Sequence, residues 1–192
     1  MPHHRPRLTR AHHDRGVRTV RLFIVAALVC AASACTQPAA TAGCSFESSQ
    51  TIAFTSPEAE DTIVAESIGD ACDKTIGLYV VRTAEGYPIW SWSAPLSHQF
   101  GNVFAPEDTE HMASFVEAWA RPDITTTQTA PEWTALAPFQ TTLDQLTYED
   151  VRARNLPMLC HFSGTARQTC VFWEPAAGGA GHMLDRDSEE TE

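Results

Sequence analysis

The cysteine at position 35 is the residue whose neighbours point most directly to a chemical modification. It ends the stretch RGVRTVRLFIVAALVCAASAC at 15–35, in which arginines precede an apolar run of 10 residues at 22–31. As a helix this run spans about 15 Å, which is half of a bilayer core and too short for a permanent transmembrane helix. Basic residues before the run and small residues at 32–34 are typical of a cleaved secretory signal. The sequence therefore predicts a signal peptide over residues 1–34.

The junction before Cys35 resembles the lipobox of bacterial lipoproteins, in which small residues precede a cysteine. The resemblance implies cleavage between Ala34 and Cys35, acylation of the Cys35 thiol and attachment to a membrane through the acyl chains. The family usually has leucine three places before the cysteine, whereas this chain has Ala32. An ordinary Ala-x-Ala cleavage, which would release a soluble secreted or periplasmic protein, is the alternative, and an uncleaved anchor is a second one. Cys30 is a poorer candidate for acylation because the branched Val29 precedes it.

The four cysteines that follow Cys35 predict disulfide bonds. Cys44, Cys72, Cys160 and Cys170 are even in number, and an exported chain meets an oxidising environment. Four cysteines can pair in three ways, and we favour Cys44–Cys72 with Cys160–Cys170. Their spacings match no common zinc pattern, and neither a metal site nor a cofactor is predicted.

Histidines and carboxylates could supply general acid or base chemistry, but no spacing selects a catalytic set. His98, His111, His161 and His182 follow the leader without the H-E-x-x-H spacing, and no serine stands in G-x-S-x-G. A surface or capping role is expected for each histidine, and strand alternation predicts that His161 points away from Cys160. A catalytic function is not predicted. An extracytoplasmic hydrolase acting on cell-wall or sugar material is the alternative function.

Three tryptophans are candidates for ligand contact. Trp90 and Trp92 stand at i and i+2 in PIWSWSAP and therefore share one face of a predicted strand, with serines on the other face. Such a pair could stack on sugar rings or form a protein hot spot, although packing in the core is the preferred interpretation. Trp133, in the loop sequence APEWTALAP, is the best candidate for an exposed anchor.

Two hairpins and two helices are predicted to position these residues. The strand at 75–83 carries apolar side chains on both faces, which predicts a central strand covered on both sides. The second hairpin sets position 160 opposite 170, where Cβ atoms about 4.5–5.5 Å apart lie close to disulfide range. The predicted fold class is α+β: a small, mainly antiparallel sheet with one or two packed helices, stapled by disulfides. The predicted strands are 51–55, 62–68, 75–83, 87–94, 157–162 and 168–173, the predicted helices are 108–120 and 147–154, and 122–132 is predicted to be a polar loop.

The charge of the exported part limits the classes of partner. The leader contains six of the 13 Lys and Arg residues and one of the 24 acidic residues, which leaves seven basic and 23 acidic residues and a formal net charge of −16. Nucleic acid is excluded as a partner because phosphate binding needs a basic face. A basic protein or another envelope component fits this charge, although solubility alone also explains an acidic surface.

The domain limits follow from these patterns. We predict a signal peptide at 1–34, a flexible tether at 35–43, one globular domain at 44–175 and a disordered acidic tail at 176–192. The predicted function is that of an exported, membrane-anchored lipoprotein with a non-catalytic binding or structural role in the cell envelope, facing the periplasm or the exterior. Its most concrete form is an acidic domain that captures a basic protein.

Overall fold

Residues 43–187 are described by a computed structural model, and they form two four-stranded antiparallel sheets and three α-helices. The predicted α+β class, with mainly antiparallel strands and two disulfides, is confirmed. The predicted signal peptide, Cys35 and all of the tether except its last residue lie outside the described residues, as do residues 188–192.

The first sheet is a meander in which each strand pairs with the next one along the chain. Tyr79 and Val81 bury their side chains on its inner face. The third strand is central, as predicted, but its outer face is only partly covered, because Val80 is buried whereas Ile76 is 50% exposed. The strands of this sheet are β1 (Phe46–Ile52), β2 (Asp61–Ile68), β3 (Ile76–Arg82) and β4 (Pro88–Pro95).

Two helices follow the first sheet, the short α1 (Leu96–Phe100) and α2 (Thr109–Trp119). The Asp108 side chain caps α2 by accepting a hydrogen bond from the backbone N–H of His111, at 3.2 Å. The apolar stripe of this helix, which contains Met112, Val116 and Trp119, faces the core, and the helix packs against β1 and β2. The predicted helix is therefore confirmed.

The second sheet is also antiparallel, and it carries one disulfide at its centre. Cys160 lies directly opposite Cys170 in the pairing of the two central strands, and the two are bonded. Cys44 is bonded to Cys72, so the favoured pairing is confirmed. The sheet contains β5 (Asp123–Thr126), β6 (Pro157–Gly164), β7 (Arg167–Glu174) and β8 (Gly179–Asp187). In the chain, α3 (Gln145–Ala153) follows β5 and precedes β6.

Strand β8 corrects the predicted end of the domain. The sequence predicts disorder from residue 176, but Gly179–Asp187 pairs with β7 along its whole length. Charged residues in this stretch are compatible with a strand because Met183 and Leu184 are buried. Arg167, on the neighbouring strand, pairs with Asp185 at 2.6 Å. The boundary at 175 is therefore wrong.

Two local predictions in the second half also need correction. The stretch 122–132 is not entirely loop, because its residues at 123–126 pair with β6 as an edge strand. Helix α3 begins earlier than predicted, since the N-cap is Asp144 and not Thr147. The Asp144 carboxylate accepts hydrogen bonds from the backbone N–H and the hydroxyl of Thr147, at 3.0 and 2.9 Å.

The second sheet buries side chains on both of its faces. Leu159 and Val171 face the first sheet and belong to the same core cluster as α2. Met158 and Phe172 point to the other side, where they pack with Tyr148 of α3. Among residues 43–187, no helix has the length and apolar character needed to cross a bilayer.

The hairpin disulfide gives a first prediction. Replacing Cys160 and Cys170 together with alanine should lower the free energy of unfolding by about 3 kcal/mol, because the bond restricts the unfolded chain. Urea unfolding followed by circular dichroism measures the change. The variant keeps the Cys44–Cys72 disulfide, so the difference from the native protein reports the loss of one bond. A loss below about 1 kcal/mol would contradict the expectation.

Candidate functional site

Trp90 and Trp92 lie on the inner face of the first sheet and are half-buried. The indole N–H of Trp90 donates a hydrogen bond to Nε2 of His161, at 3.3 Å. The ring of Trp92 meets the ring of Trp119 edge to face, with centroids 5.5 Å apart. This placement favours the core-packing interpretation over an exposed platform for sugar rings.

His161 is a core residue that joins the two sheets. It is 1% exposed, and its ring stacks on that of Tyr79 with centroids 4.4 Å apart. Since Nε2 accepts from Trp90, the proton of the neutral ring is on Nδ1, 3.0 Å from the carbonyl oxygen of Phe162. The side chain points away from the disulfide as predicted. The predicted surface role is wrong, because alternation along β6 turns this position toward the first sheet.

Burial of His161 predicts a dependence of stability on pH. Desolvation lowers the pKa of His161 to about 4, against 6.5 for the free side chain. Because the unfolded chain binds the proton more tightly, stability is full above about pH 6.5 and declines as the pH falls toward 4. The expected loss attributable to this residue is about 3 kcal/mol.

The measurement is urea unfolding at a series of pH values for the native protein and for His161→Gln. The glutamine variant should lose most of this slope between pH 6.5 and 4, although it starts from a lower stability. His98→Gln is the matched control, since His98 is exposed and should leave the slope unchanged. An unchanged slope in His161→Gln would refute the assignment.

One polar cluster brings hydroxyls, a carboxylate and an imidazole together at the edge of the second sheet. Thr169 Oγ1 lies 2.9 Å from Ser163 Oγ and 2.7 Å from Asp185 Oδ1, while Nε2 of His182 is 3.5 Å from the same carboxylate oxygen. Burial raises the pKa of Asp185, but hydrogen bonds from Thr169 and Arg167 outweigh that effect and lower it.

This cluster has the wrong order for a hydrolytic triad. The carboxylate lies between the hydroxyls and the imidazole, whereas a serine nucleophile needs the imidazole next to its hydroxyl. His98 and His111 are exposed and lie on other elements, α1 and α2. Within residues 43–187, no three His, Cys, Asp or Glu side chains are arranged as metal ligands.

Three clefts follow the loop at 131–141, which connects the edge strand β5 to α3. The first, of about 220 Å³, is lined by Trp133, Glu132, Glu149 and Arg152. The second, also about 220 Å³, shares Trp133 and adds apolar residues of the loop itself, Leu136, Ala137, Pro138 and Phe139. The third, of about 290 Å³, shares Phe139 and is lined by Arg167, Asp185 and Arg186. Because neighbouring clefts share lining residues, we treat them together as the loop groove.

Hydrogen bonds at both ends hold the loop groove in place. At its start, the Tyr148 hydroxyl donates to the carbonyl of Pro131 at 3.0 Å. At its end, Thr141 Oγ1 donates to the carbonyl of Met183 at 2.7 Å. Trp133 packs edge to face on the ring of Tyr148, with centroids 5.6 Å apart. The loop is therefore fastened to α3 on one side and to β8 on the other.

Phe139 is the most exposed large apolar side chain of the loop groove, at 96%. Its φ of 68° falls in the left-handed region, where glycine or asparagine is usual. Pro138 precedes it, and the turn closes through a 3.3 Å bond from the N–H of Gln140 to the carbonyl of Ala137. Sequence reasoning missed Phe139, because Pro138 indicates a turn but not which way the next ring points.

The cleft beside Trp133 is the acidic part of the loop groove. Glu132 and Glu149 are exposed, and neither has an ion-pair partner among residues 43–187. Arg152 lines the same cleft but donates through Nε to the carbonyl of Ala130, at 2.8 Å. An aromatic face with two carboxylates beside it can hold a cation through cation–π attraction and charge-assisted hydrogen bonds.

Comparison with known proteins finds no matching family model, no similar curated protein and no similar solved structure.

Proposed function

We propose that the protein is an exported, lipid-anchored binding protein of the cell envelope, which captures a basic segment of a partner protein in the loop groove. The observation that carries this proposal is the cleft beside Trp133. There Trp133, Glu132, Glu149 and Arg152, whose Nε is bonded to the carbonyl of Ala130, line a cleft of about 220 Å³ on a loop that is fastened at both ends. The role is non-catalytic.

The chemistry of this cleft suits a lysine or arginine side chain. A cation over the indole face of Trp133 is attracted by the ring, and Glu132 or Glu149 can accept its hydrogen bonds. The fastened loop reduces the entropy that binding would otherwise have to overcome. Each contact at such an exposed site contributes about 0.5–1 kcal/mol, so affinity for a single side chain is modest and an extended segment is needed.

The overall charge supports the same class of partner. Residues 35–192 carry a formal net charge of −16, from seven basic and 23 acidic residues. A field of this sign increases the rate at which a cationic protein meets the surface, and added salt weakens it.

The leader and the disulfides support a location outside the cytosol. Disulfides form and persist in oxidising compartments, and the residues before Cys35 resemble a lipobox. From an acylated Cys35 to the first described residue, Gly43, the chain can reach at most about 30 Å. The folded domain would therefore be held close to a membrane surface.

Intact mass of the protein from the membrane fraction tests the anchor. The expected product begins at Cys35, carries the added mass of acyl chains and contains two disulfides. Cys35→Ser is expected to leave the protein without acyl chains. A membrane-free product that lacks acyl mass would reject the anchor without affecting the proposed binding, and a full-length reduced product in the cytosol would reject export itself.

A lysine peptide tests the binding. The probe is a short peptide of glycine and serine with two lysines, followed by the ¹⁵N–¹H signal of the Trp133 indole at low ionic strength. Glu132→Gln with Glu149→Gln should weaken the peptide about tenfold, since the carboxylates are the partners of the cation. The matched control is Glu47→Gln with Glu58→Gln, which removes the same charge from an exposed position of β1 and one of the loop after it. This control should weaken peptide binding by less than about twofold.

Two results would contradict the proposal. Equal weakening by the two double variants would mean that only net charge matters. A Trp133 signal that does not respond to the lysine peptide at any concentration would mean that the cleft is not the site.

A further inference from the structure

We propose that Phe139 is a second contact point of the loop groove, so that the captured segment carries a large apolar side chain beside its cationic one. This inference rests on the proposed function and adds the chemical class of the segment, which is amphipathic and not merely basic.

The ring of Phe139 does not contribute to the packed core. At 96% exposure its ring contributes almost nothing to the two core clusters of the domain. An aromatic ring that is fully solvated in the free protein gains most when a partner covers it, and aromatic residues dominate the energetics of protein interfaces.

The backbone of Phe139 also departs from what folding alone would favour. A φ of 68° is unfavourable for a residue with a side chain, and glycine would occupy it without strain. The conformation persists because the surrounding turn fixes it. The side chain of Gln140 accepts from the N–H of Ala137 at 2.8 Å, and the carbonyl of Gln140 accepts from the N–H of Asp185 at 2.6 Å. Strain that is held in this way clusters at sites of function.

The position of Phe139 places it next to the cation cleft. Phe139 and Trp133 both line the middle cleft, together with Leu136 and Pro138. An apolar side chain seated there would lie in a cleft that both aromatic residues line. Trp133 also borders the cleft with Glu132 and Glu149, so a neighbouring cationic side chain of the same segment can reach those carboxylates. Charge complementarity thus selects the basic part of the segment, and the middle cleft selects the apolar part.

Two peptides of equal charge separate the two contributions. The first is the glycine–serine peptide with two lysines, and the second replaces its serines with phenylalanine. The native protein should bind the phenylalanine peptide about tenfold more tightly than the serine peptide. Phe139→Ala and Phe139→Gly should both remove this gain and leave the affinity for the serine peptide within about twofold. Glu132→Gln with Glu149→Gln should weaken both peptides and keep the gain.

Thermal unfolding of the two Phe139 variants distinguishes a binding role from a structural one. Phe139→Gly relieves the unfavourable φ, so its midpoint should be equal to or higher than that of the native protein. Phe139→Ala keeps the backbone strain and should unfold within a few degrees of the native midpoint. A fall of many degrees in both variants would assign Phe139 to the fold and overturn the inference.

The outcomes also separate this inference from the proposed function. If the native protein binds the two peptides equally, the inference fails and the proposed function stands. If neither peptide binds, the proposed function fails and the inference fails with it. Two other occupants of the loop groove are a second copy of the chain and a lipid surface. Sedimentation of the native protein alone tests the first, and sedimentation with vesicles of phosphatidylcholine and phosphatidylglycerol tests the second. Loss of self-association or of vesicle binding in Phe139→Ala, with the peptide gain intact, would overturn the inference in favour of a second copy or a lipid surface.

Discussion

The stacking of His161 on Tyr79 is the contact on which the arrangement of the two sheets depends. His161 is on a central strand of the second sheet and Tyr79 on a central strand of the first, with their rings 4.4 Å apart. Trp90 fixes the imidazole from the edge of the first sheet through a hydrogen bond. Tyr79 contributes its ring and not its hydroxyl, which has no hydrogen-bond partner among residues 43–187. Burial favours the neutral imidazole here, because the desolvation cost of a charge outweighs the attraction of Asp185.

The position of the loop groove follows from that contact. One face of the second sheet lies against the first sheet, so its opposite face must be covered by other elements. Tyr148 and Val151 of α3 cover it. Tyr148 contributes both to the second core cluster and to the loop groove. Its ring is part of that second core, and its hydroxyl fastens the start of the loop at Pro131. The groove is therefore built on an element that the core already immobilises, which is the condition for a preorganised binding surface.

The sequence predicted what depends on local pattern and missed what depends on partners distant in the chain. The pairing of Cys160 with Cys170 was predictable because a short hairpin fixes its own register. Strand β8 was not, because DRD among glycines and alanines has the composition of a solvated tail until β7 supplies its hydrogen bonds. His161 was expected at the surface for a related reason. Only the position of the first sheet decides which face of β6 is buried.

The candidate site shows the same division. Trp133 was predicted from the loop sequence as an exposed anchor, whereas the structure packs it partly buried against the second core cluster, at the boundary of two clefts. Phe139 could not be selected, since its exposure results from a backbone conformation that phenylalanine rarely adopts.

The distribution of arginine explains why carboxylates such as Glu132 and Glu149 have no ion-pair partner among the described residues. Three arginines of the second half form ion pairs between elements, Arg154 with Glu174, Arg167 with Asp185 and Arg186 with Asp123. These cations hold strands and helix together and are not free to neutralise other carboxylates. With so few basic residues in the chain, Glu132 and Glu149, like several other exposed carboxylates, have no ion-pair partner among the described residues. What the cleft adds to two such carboxylates is the indole of Trp133 beside them.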